Sequence, residues 1–369
     1  MDKNRILQRL IMQPITGMRS LDLLRVLARN DFRISPGRTP VLAFLAAASI
    51  YNSVYSRYEN RLNMPKVAGT RVSSAPIFIL GHFRSGTTYL QNLMSFDENL
   101  CTPNYFQAMF PHVYLYCQRV GGRVMNSLLP PTRPMDNVAL SAHLPHEDEF
   151  ALAALSLTSP YLRFLFPVTG DKPHSSLDPL ELPSRDLERF KHAMDLFIRK
   201  LTFARARRVL LKSPPHLARV RVILELQPRA RFIFLARNPY DVYLSTVHLW
   251  KNTLSRFHLQ NPPDSLVEQT IFSWYGQMHS LFERDRGMIP PGQLTEIRYE
   301  DLEREPLAVL ARIYDELDLP GFEGLEKGAA KYLEGIAGYR KNRFILCGED
   351  RDKVAREWED WFRRYGYPL

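Results

Sequence analysis

Cysteine is scarce in this chain of 369 residues. The three cysteines, Cys101, Cys117 and Cys347, include no CxxC pair. An odd number of scattered cysteines indicates neither a disulfide framework nor a cysteine zinc site. The histidines likewise show no HxxxH spacing and no carboxylate spacing that is typical of a metal site. The sequence therefore predicts a protein of a reducing compartment with no bound metal.

Long hydrophobic runs are also missing. Arginines and aspartates interrupt the first 30 residues, which excludes the unbroken apolar core of a secretory signal. Residues 41–51 form an unbroken apolar stretch, but it is about half of the roughly 20 residues that a membrane-spanning helix needs. Arginines precede this stretch, so it is expected to form a buried or interfacial helix. The prediction is a cytoplasmic protein for which peripheral membrane contact is allowed.

Positive charge is in excess. The formal net charge of +10 favours an anionic partner, which could be nucleic acid, a membrane surface or a phosphorylated nucleotide. The chain has no basic stripe interleaved with aromatic residues and no recognisable nucleic-acid module. Nucleic acid is therefore not a predicted partner, although a non-catalytic anion-binding protein stays open as an alternative. The sequence does not predict an oligomeric state.

Short apolar runs alternate with segments of helical periodicity. Such runs are typical of parallel strands that are covered on both faces. They lie at 76–80, 208–211, 231–236 and 294–298, and the helical segments at 86–94, 150–157, 187–203, 239–250, 306–317 and 350–365. This alternation predicts an α/β fold with a P-loop-like parallel sheet flanked by helices. Residues 1–72 are expected to form a helical extension, and 73–369 a domain with a mostly helical insertion at 101–200.

One loop carries the clearest sign of chemistry. Residues 81–88 read GHFRSGTT, follow a predicted strand and begin a helix. Gly81 and Gly86 have the spacing of the phosphate-binding loop GxxxxGK[ST], in which backbone N–H groups at a helix N-terminus bind an anion. A nucleoside triphosphatase places lysine at the seventh position, where this chain has Thr87. The loop therefore predicts an anion site without the lysine of that enzyme class.

The later strands also differ from those of nucleoside triphosphatases. Two apolar strands run into Lys212 and Arg237, where such enzymes usually have an aspartate that helps to hold magnesium. The positive charge of the loop itself comes from Arg84. A P-loop kinase or nucleoside triphosphatase stays the alternative, but the residues favour a fixed anionic group held without a metal.

Four segments resemble the sulfotransferase superfamily. FRSGTT at 83–88 is similar to the loop that binds 5′-phosphosulfate, and RFIFLARNPYDVYLS at 231–245 resembles the 3′-phosphate signature. LLKSPPHL at 210–217 and YEDL at 299–302 resemble two further strand-end segments. The resemblance spans roughly residues 76–365 and is nearer to the broad bacterial group than to the animal cytosolic enzymes.

The resemblance implies a co-substrate and a set of residues that bind it. The co-substrate would be 3′-phosphoadenosine 5′-phosphosulfate, from which a sulfuryl group passes in line, and without a metal, to an acceptor hydroxyl. Arg237 and Ser245 would bind the 3′-phosphate, and a late basic loop would add a contact. The full predicted binding set is Arg84, Ser85, Gly86, Thr87, Thr88, Arg237, Ser245, Arg340 and Lys341.

Local signals support this placement of the 3′-phosphate residues. Asn238 is a favourable N-cap, Pro239 suits the first helical position and Asp241 suits the first turn. A helix is therefore expected to begin directly after Arg237, which places that arginine at the carboxyl edge of the sheet, where open α/β folds bind ligands. Ser245, about two turns into the helix, is expected to face the same anion.

The predicted catalytic residues supply positive charge and a base. By resemblance, Lys212 assists departure of the nucleotide, and Arg84 adds charge for the transferred group. Two alternatives stay open for the base that accepts the proton of the hydroxyl. His216 lies near the position of a family histidine, with shifted spacing, whereas Glu147 and Glu149 precede an apolar helix, where acidic residues also favour the helix dipole.

The acceptor is open between a small molecule, a lipid and a carbohydrate. The stretches 105–116 and 161–167 are rich in aromatic and apolar residues. They favour a lipid-like or aromatic alcohol, with the insertion at 101–200 shaping the acceptor side.

Overall fold

The computed structural model describes residues 10, 12–133, 138–336, 346 and 348–369. The strands are β1 (Ile77–Leu80), β2 (Leu100–Cys101), β3 (Arg208–Lys212), β4 (Arg231–Ala236) and β5 (Leu294–Arg298). The helices are α1 (Ser20–Arg29), α2 (Thr39–Leu62), α3 (Met64–Ala68), α4 (Thr87–Met94), α5 (Tyr105–Met109), α6 (Tyr114–Leu128), α7 (Glu149–Ser156), α8 (Leu162–Leu165), α9 (Ser184–Ala204), α10 (Val220–Leu226), α11 (Pro239–Asn252), α12 (Asp264–Arg286), α13 (Tyr299–Arg304), α14 (Pro306–Glu316), α15 (Phe322–Gly335), α16 (Gly348–Glu357) and α17 (Glu359–Tyr365). Short 3₁₀ turns lie between several of them.

The five strands form one parallel sheet in the order β2-β3-β1-β4-β5. The central strand β1 pairs with β3 on one side and with β4 on the other. The loop that leaves β1 therefore lies between the carboxyl ends of β3 and β4. The strand order changes direction at this point, and ligands of open parallel sheets bind at such a position. The predicted fold class is confirmed.

Opposite faces of the sheet pack in different ways. On one face, branched residues such as Ile79 and Ile233 pack among apolar side chains of α4, α14 and α15. On the other face the packing is aromatic: the Phe234 ring stacks on Phe282 of α12 with centroids 4.6 Å apart. Because both faces are covered, β1, β3 and β4 are short, almost fully buried apolar runs, as the sequence predicted. The edge strand β5 was also predicted to be buried, but it alternates buried and exposed residues.

The chain divides into two compact units. The helical unit comprises Met1–Val72, Pro103–Ala206 and Lys251–Leu266, and the sheet unit comprises Ser73–Thr102, Arg207–Trp250 and Val267–Leu369. The sheet unit contains all five strands. The helices α1, α2 and α3 of the helical unit match the helical character that the sequence predicted before residue 72.

A buried ion pair lies inside the helical unit. Lys200 of α9 donates to the Glu59 carboxylate of α2 and to the Pro111 carbonyl, and both charged side chains are almost fully buried. Glu59 also accepts a hydrogen bond from the backbone N–H of Tyr116, at 3.1 Å. The Lys200 ammonium lies 4.6 Å from the centre of the Tyr114 ring. The pair thus joins three segments that are distant in sequence.

One predicted helix differs from the structure, and one observed helix was not predicted. The segment 350–365, predicted as one helix, is two helices that meet at Trp358. The long helix α12 was not predicted. Cys101 and Cys117 are both buried, and Cys347 lies outside the described residues. None of the helices described is at once long enough and apolar enough to cross a bilayer.

Candidate anion-binding site

The loop between β1 and α4 makes a tight approach to a neighbouring ring. Gly86, the residue before α4, has φ +98°, a conformation that glycine adopts far more readily than other residues. A Cβ atom at this position would lie 2.2 Å from the ring of Tyr299. Only a glycine can therefore pass this ring without displacing it.

The loop also closes on itself. The Ser85 hydroxyl donates to the His82 carbonyl at 2.8 Å, and the backbone N–H of Ser85 donates to the same carbonyl at 3.2 Å. Ser85 and Thr87 are buried, whereas Arg84, Gly86 and Thr88 keep partial exposure. Thus the predicted loop residues are held by local bonds, and part of the loop stays open to solvent.

Arg84 links the two predicted phosphate motifs. Its side-chain Nε donates to Ser245 Oγ of α11 at 2.8 Å, and its backbone carbonyl accepts from Arg237 Nη1 at 2.9 Å. Its φ of +66° lies in the left-handed region that side-chain-bearing residues rarely occupy. The structure therefore brings Arg84, Arg237 and Ser245 together, although Ser245 lies 161 residues beyond Arg84 in sequence.

The guanidinium of Arg237 packs against an aromatic ring. Its guanidinium lies 4.3 Å from the centre of the Tyr299 ring, which is a favourable cation–π geometry. Its Nη2 is 3.9 Å from the exposed carboxylate of Asp241, one turn into α11. The same Tyr299 ring thus contacts both Gly86 and Arg237, and the sequence signal for it was the YEDL segment.

The start of α11 is fixed as the sequence predicted, with one additional contact. Asn238 Oδ1 accepts from the N–H of Tyr240 at 2.9 Å, which confirms it as the N-cap. The backbone N–H of Asn238 in turn donates to Glu300 at 3.0 Å. Glu300 also accepts from the Tyr367 hydroxyl at 2.7 Å. The second residue of YEDL therefore holds the strand end that carries Arg237, a role that the sequence analysis missed.

Lys212 ends β3 beside the loop. Its side chain is 1% exposed, and its ammonium donates to Thr88 Oγ1 at 3.2 Å. Register explains this placement, because Lys212 pairs with Ile79 of β1. The lysine thus approaches the loop from β3, whereas Arg237 approaches it from β4.

The three candidates for the base lie in different surroundings. His216 is fully buried in the sheet unit, where its ring meets Phe78 edge-on at 5.2 Å between centroids. In the helical unit, Glu149 is fully buried and accepts from the Ser159 hydroxyl at 2.5 Å. Glu147 is partly exposed and accepts from the Tyr161 hydroxyl. Burial, followed by the charge of Glu147, raises the pKa of Tyr161 well above its ordinary value.

Two buried histidines, His82 of the loop and His279 of α12, were not predicted as site residues. The rings of His82 and His279 are 6.2 Å apart and roughly parallel. Burial lowers the pKa of His82 from 6.5 to about 4 and lowers that of His279 well below its ordinary value. Both are therefore neutral at pH 7, and neither adds charge to the loop.

Arg340 and Lys341 lie outside the described residues, so their contact with the co-substrate stays a prediction. Among the residues that the structure describes, no group of three histidine, cysteine, aspartate or glutamate side chains is arranged to hold a metal ion. The site that can be described is thus a set of cations, hydroxyls and backbone groups at the carboxyl edge of the sheet.

Known proteins are similar to this chain in sequence and in fold. A model of the sulfotransferase family matches residues 76–324. The chain is 35% identical over 345 residues to the omega-hydroxy-beta-dihydromenaquinone-9 sulfotransferases Stf3 of Mycobacterium tuberculosis and Mycobacterium bovis, covering 93% of this chain and 88% of each relative.

Two solved structures resemble the fold over nearly the whole chain. Sulfotransferase STF1 of Mycobacterium tuberculosis H37Rv superposes with a TM-score of 0.67 and 16% identity, covering 97% of both chains. Sulfotransferase STF9 of Mycobacterium avium gives a TM-score of 0.65 at 16% identity, covering 94% of this chain and 91% of the other. At this level of identity, the likeness supports the fold.

Proposed function

The chain belongs to the sulfotransferase family, and from this premise we propose how it binds its donor and which kind of acceptor it sulfates. It is an enzyme that transfers a sulfuryl group. We propose that the donor is 3′-phosphoadenosine 5′-phosphosulfate, the co-substrate that the family implies. The observation that carries this proposal is the contact of Arg84 with both Arg237 and Ser245, which joins the two phosphate motifs.

The chemistry of the described groups fits this donor. Two guanidinium groups, the Lys212 ammonium and several hydroxyls meet around the loop, and such donors favour phosphate and sulfate oxygens. Arg237 Nε is buried and has no hydrogen-bond partner among the described residues. Buried N–H groups are normally bonded, so an anion at this position would satisfy it. Gly86 lets the loop pass close to the Tyr299 ring, because a Cβ atom at this position would lie 2.2 Å from that ring.

In the proposed transfer, each residue of the anion-binding site has a distinct role. Arg237 and Ser245 hold the 3′-phosphate, and residues 81–88 hold the 5′-phosphosulfate at the N-terminus of α4. The bond between sulfur and the 5′-phosphate oxygen breaks while sulfur bonds to the acceptor oxygen, whose proton passes to a base. Lys212 and Arg84 stabilise the charge that develops on the leaving adenosine 3′,5′-bisphosphate and on the transferred group.

We propose Glu147 as the base. A general base must come within hydrogen-bond reach of the hydroxyl whose proton it accepts. His216 and Glu149 are both fully buried, whereas Glu147 keeps part of its surface exposed. The matched test compares Glu147→Gln with Glu149→Gln and His216→Gln. We expect the Glu147 variant to lose at least about 100-fold in kcat with an unchanged dissociation constant for the bisphosphate. A greater kcat loss in either other variant would contradict the assignment.

For the acceptor, we propose the hydroxyl of a long hydrophobic lipid. The relatives at 35% identity are named for sulfation of omega-hydroxy-beta-dihydromenaquinone-9, and the match covers most of both chains. The stretches 105–116 and 161–167, which the sequence analysis selected for their aromatic character, are largely buried apolar segments of the helical unit. They suit an apolar acceptor better than a carbohydrate.

Donor binding is tested by calorimetry with adenosine 3′,5′-bisphosphate. The purified enzyme is expected to bind with a dissociation constant in the micromolar range or lower. Arg237→Ala should weaken binding at least about 100-fold, because it removes a partly buried charge that contacts the phosphate. Arg229→Ala, which removes an exposed arginine and changes the net charge equally, should leave binding unchanged. Absence of binding by the unmodified enzyme would contradict the donor site.

Acceptor choice is tested by following labelled sulfate onto a panel of alcohols. The panel contains a terminally hydroxylated isoprenoid quinone, a long-chain primary alcohol, a small phenol and a sugar. We expect the greatest kcat/KM for the isoprenoid quinone. Preference for the sugar, together with intact binding of the bisphosphate, would reject the lipid proposal and leave the donor site standing.

A further inference from the structure

Helix α2 is amphipathic, but it exposes large apolar residues that an ordinary surface helix would bury. The residues that it buries are mainly small or polar, namely Leu45, Ser49, Asn52, Ser56 and Glu59. From Ile50 to its end, the helix exposes six large apolar or aromatic residues, namely Ile50, Tyr51, Val54, Tyr55, Tyr58 and Leu62. At 3.6 residues per turn, these six positions fall within an arc of about 140°. A surface helix usually turns such a stripe toward the core.

Helix α6 extends the exposed stripe. Tyr116, Val120 and Val124 recur every four residues on α6, and Val120 is 69% exposed. The ring of Tyr116 stacks on that of Tyr58 at 5.6 Å between centroids and lies 6.2 Å from that of Tyr55. These contacts join the two helices into one exposed surface. We call it the tyrosine surface; it consists of Ile50, Tyr51, Val54, Tyr55, Tyr58, Leu62, Tyr116, Val120 and Val124.

The charge on these two helices has a single sign. Both helices expose arginines, which are Arg57 and Arg61 on α2 and Arg119 and Arg123 on α6. The only acidic residue in either helix is Glu59, which is buried against Lys200. Within the described part of the chain, none of these four arginines forms an ion pair. The two helices that form the tyrosine surface therefore expose apolar and aromatic side chains beside arginines, with no exposed acidic residue of their own.

We propose that the tyrosine surface binds the interface of an anionic lipid bilayer. Tyrosine rings place an apolar body in the bilayer boundary and a hydroxyl in the headgroup layer. The exposed valine and leucine side chains add shallow apolar contact, and the arginines attract anionic headgroups. A second copy of the chain fits less well, because pairing two such surfaces brings the arginines of both together. This is contact with a membrane face and involves no spanning helix.

The tyrosine surface is separate from the proposed donor site, and it shares only Tyr116 with the stretches 105–116 and 161–167 that are proposed to suit the acceptor. It depends on the exposure and charge of α2 and α6, and no residue of the anion-binding site takes part. Binding of adenosine 3′,5′-bisphosphate should accordingly be equal in all variants described below. Their failure to bind membranes would thus be distinguishable from a failure of the donor site.

Vesicle flotation provides the test. The purified chain is mixed with phosphatidylcholine vesicles, either pure or with about 30% phosphatidylglycerol, at low and high salt. We expect it to float with the anionic vesicles at low salt and much less with pure phosphatidylcholine. Substituting serine for Tyr51, Tyr55, Tyr58 and Tyr116 together should lower the partition coefficient at least about tenfold.

A charge-reversal variant examines the electrostatic part of the binding. Glutamate replaces the four arginines of α2 and α6, and we expect about a fivefold loss of partitioning for each charge removed. The matched control reverses four exposed arginines elsewhere, Arg185, Arg205, Arg207 and Arg229, and so has the same net charge. A second control, Val168→Ser with Met288→Ser, alters exposed apolar residues outside the tyrosine surface. Both controls should keep most of the binding.

Three results would overturn the proposal. The first is failure of the unmodified chain to float with anionic vesicles. The second is an equal loss in the matched controls and in the tyrosine and arginine variants. The third is a dimer, seen by light scattering, that the tyrosine substitutions convert to a monomer while vesicle binding is absent. That last result would assign the tyrosine surface to self-association.

Discussion

Arg84 forms hydrogen bonds in the site through both its backbone and its side chain. Its carbonyl accepts from Arg237, and its guanidinium donates to Ser245, while its φ of +66° keeps it in the left-handed region. That conformation costs on the order of 1 kcal/mol or more for a residue with a side chain. The two hydrogen bonds offset this cost. They also mean that the 3′-phosphate must share or replace the bond between Arg84 and Ser245.

Gly86 provides the sharpest test of the loop conformation. Gly86→Ala places a Cβ atom against the Tyr299 ring at a backbone angle that alanine disfavours. We expect at least about a 100-fold loss of bisphosphate affinity, measured by calorimetry. Gly324→Ala is the control, because that glycine lies in α15 with open space around its Cβ position. Equal affinity in the two variants would show that the loop tolerates a side chain at position 86.

Lys212 is expected to affect turnover more than binding. Methionine at this position keeps the volume of a side chain that is 1% exposed and removes only its charge. Steady-state kinetics of Lys212→Met should show kcat reduced about 10² to 10³-fold, since the charge stabilises the transition state. Bisphosphate affinity should change less than about tenfold. Lys331→Met, at an exposed position of α15, should behave as the unmodified enzyme, and parallel losses of kcat and affinity at Lys212 would contradict this role.

At the scale of elements, the turn from β5 into α13 supports the end of β4. Tyr299 lies beneath Arg237, and Glu300 accepts from the backbone N–H of Asn238. Two consecutive side chains at the start of α13 thus fix Arg237 and the first residues of α11, which follow it. The turn does so although it comes about 60 residues later in the chain.

Substitutions at Tyr299 distinguish the contribution of its ring to bisphosphate affinity from that of its hydroxyl. Tyr299→Phe keeps the ring beneath Arg237 and should leave bisphosphate affinity within about threefold of normal. Tyr299→Ala removes the ring and should weaken affinity about tenfold or more, because the guanidinium loses its cation–π contact and its fixed position. Isothermal titration of both variants distinguishes the outcomes. Similar weakening in the two variants would assign the effect to the hydroxyl, which lies 3.4 Å from Glu303.

Most elements of the sheet unit could be predicted from the sequence. The strands β1, β3 and β4 are short apolar runs, whereas β5 alternates buried and exposed residues at the edge of the sheet. The predicted bounds of all four agree with the observed ones within one residue. Strand β2 has two residues, too few to show any periodicity. For α12 the signal was present, since buried apolar residues recur at a spacing of three and four from Ile271 to Phe282.

The site was only partly predictable, because its contacts are of two kinds. The N-cap at Asn238 and the glycines of the loop are local, and their chemistry follows from neighbouring residues. The bond of Arg84 to Ser245 and the contact of Tyr299 with Gly86 join distant segments. Such contacts depend on strand order, which a single sequence does not specify. The roles proposed for Lys212, Arg237 and the bases stay predictions.

At the scale of the whole molecule, buried histidines should make stability depend on pH. Burial lowers the pKa of His82, His174 and His258 from 6.5 to about 4 in the folded chain. Between pH 6.5 and 4, the unfolded chain binds protons that the folded chain does not. Stability is therefore full above pH 6.5 and falls as the pH drops through this window.

Denaturant unfolding at pH 7 and pH 5 measures this effect. Each such histidine should lower the free energy of unfolding by about 2 kcal/mol over that range, since one pKa unit corresponds to about 1.4 kcal/mol. His82→Asn should reduce the difference between the two pH values by about that amount. His143→Asn is the control, because His143 is exposed. An equal pH dependence in the two variants would contradict the lowered pKa of His82.

The buried contact of Glu59 with Lys200 restricts how this protein can change over evolutionary time. Loss of either partner alone leaves an isolated charge in the interior, which typically costs about 3 to 5 kcal/mol. Most single changes at either position would be eliminated by selection, so both positions are expected to change together. Among descendants of this sequence, a neutral residue at one position should accompany a neutral residue at the other. The family history of the helical unit would then be recorded in this covarying pair.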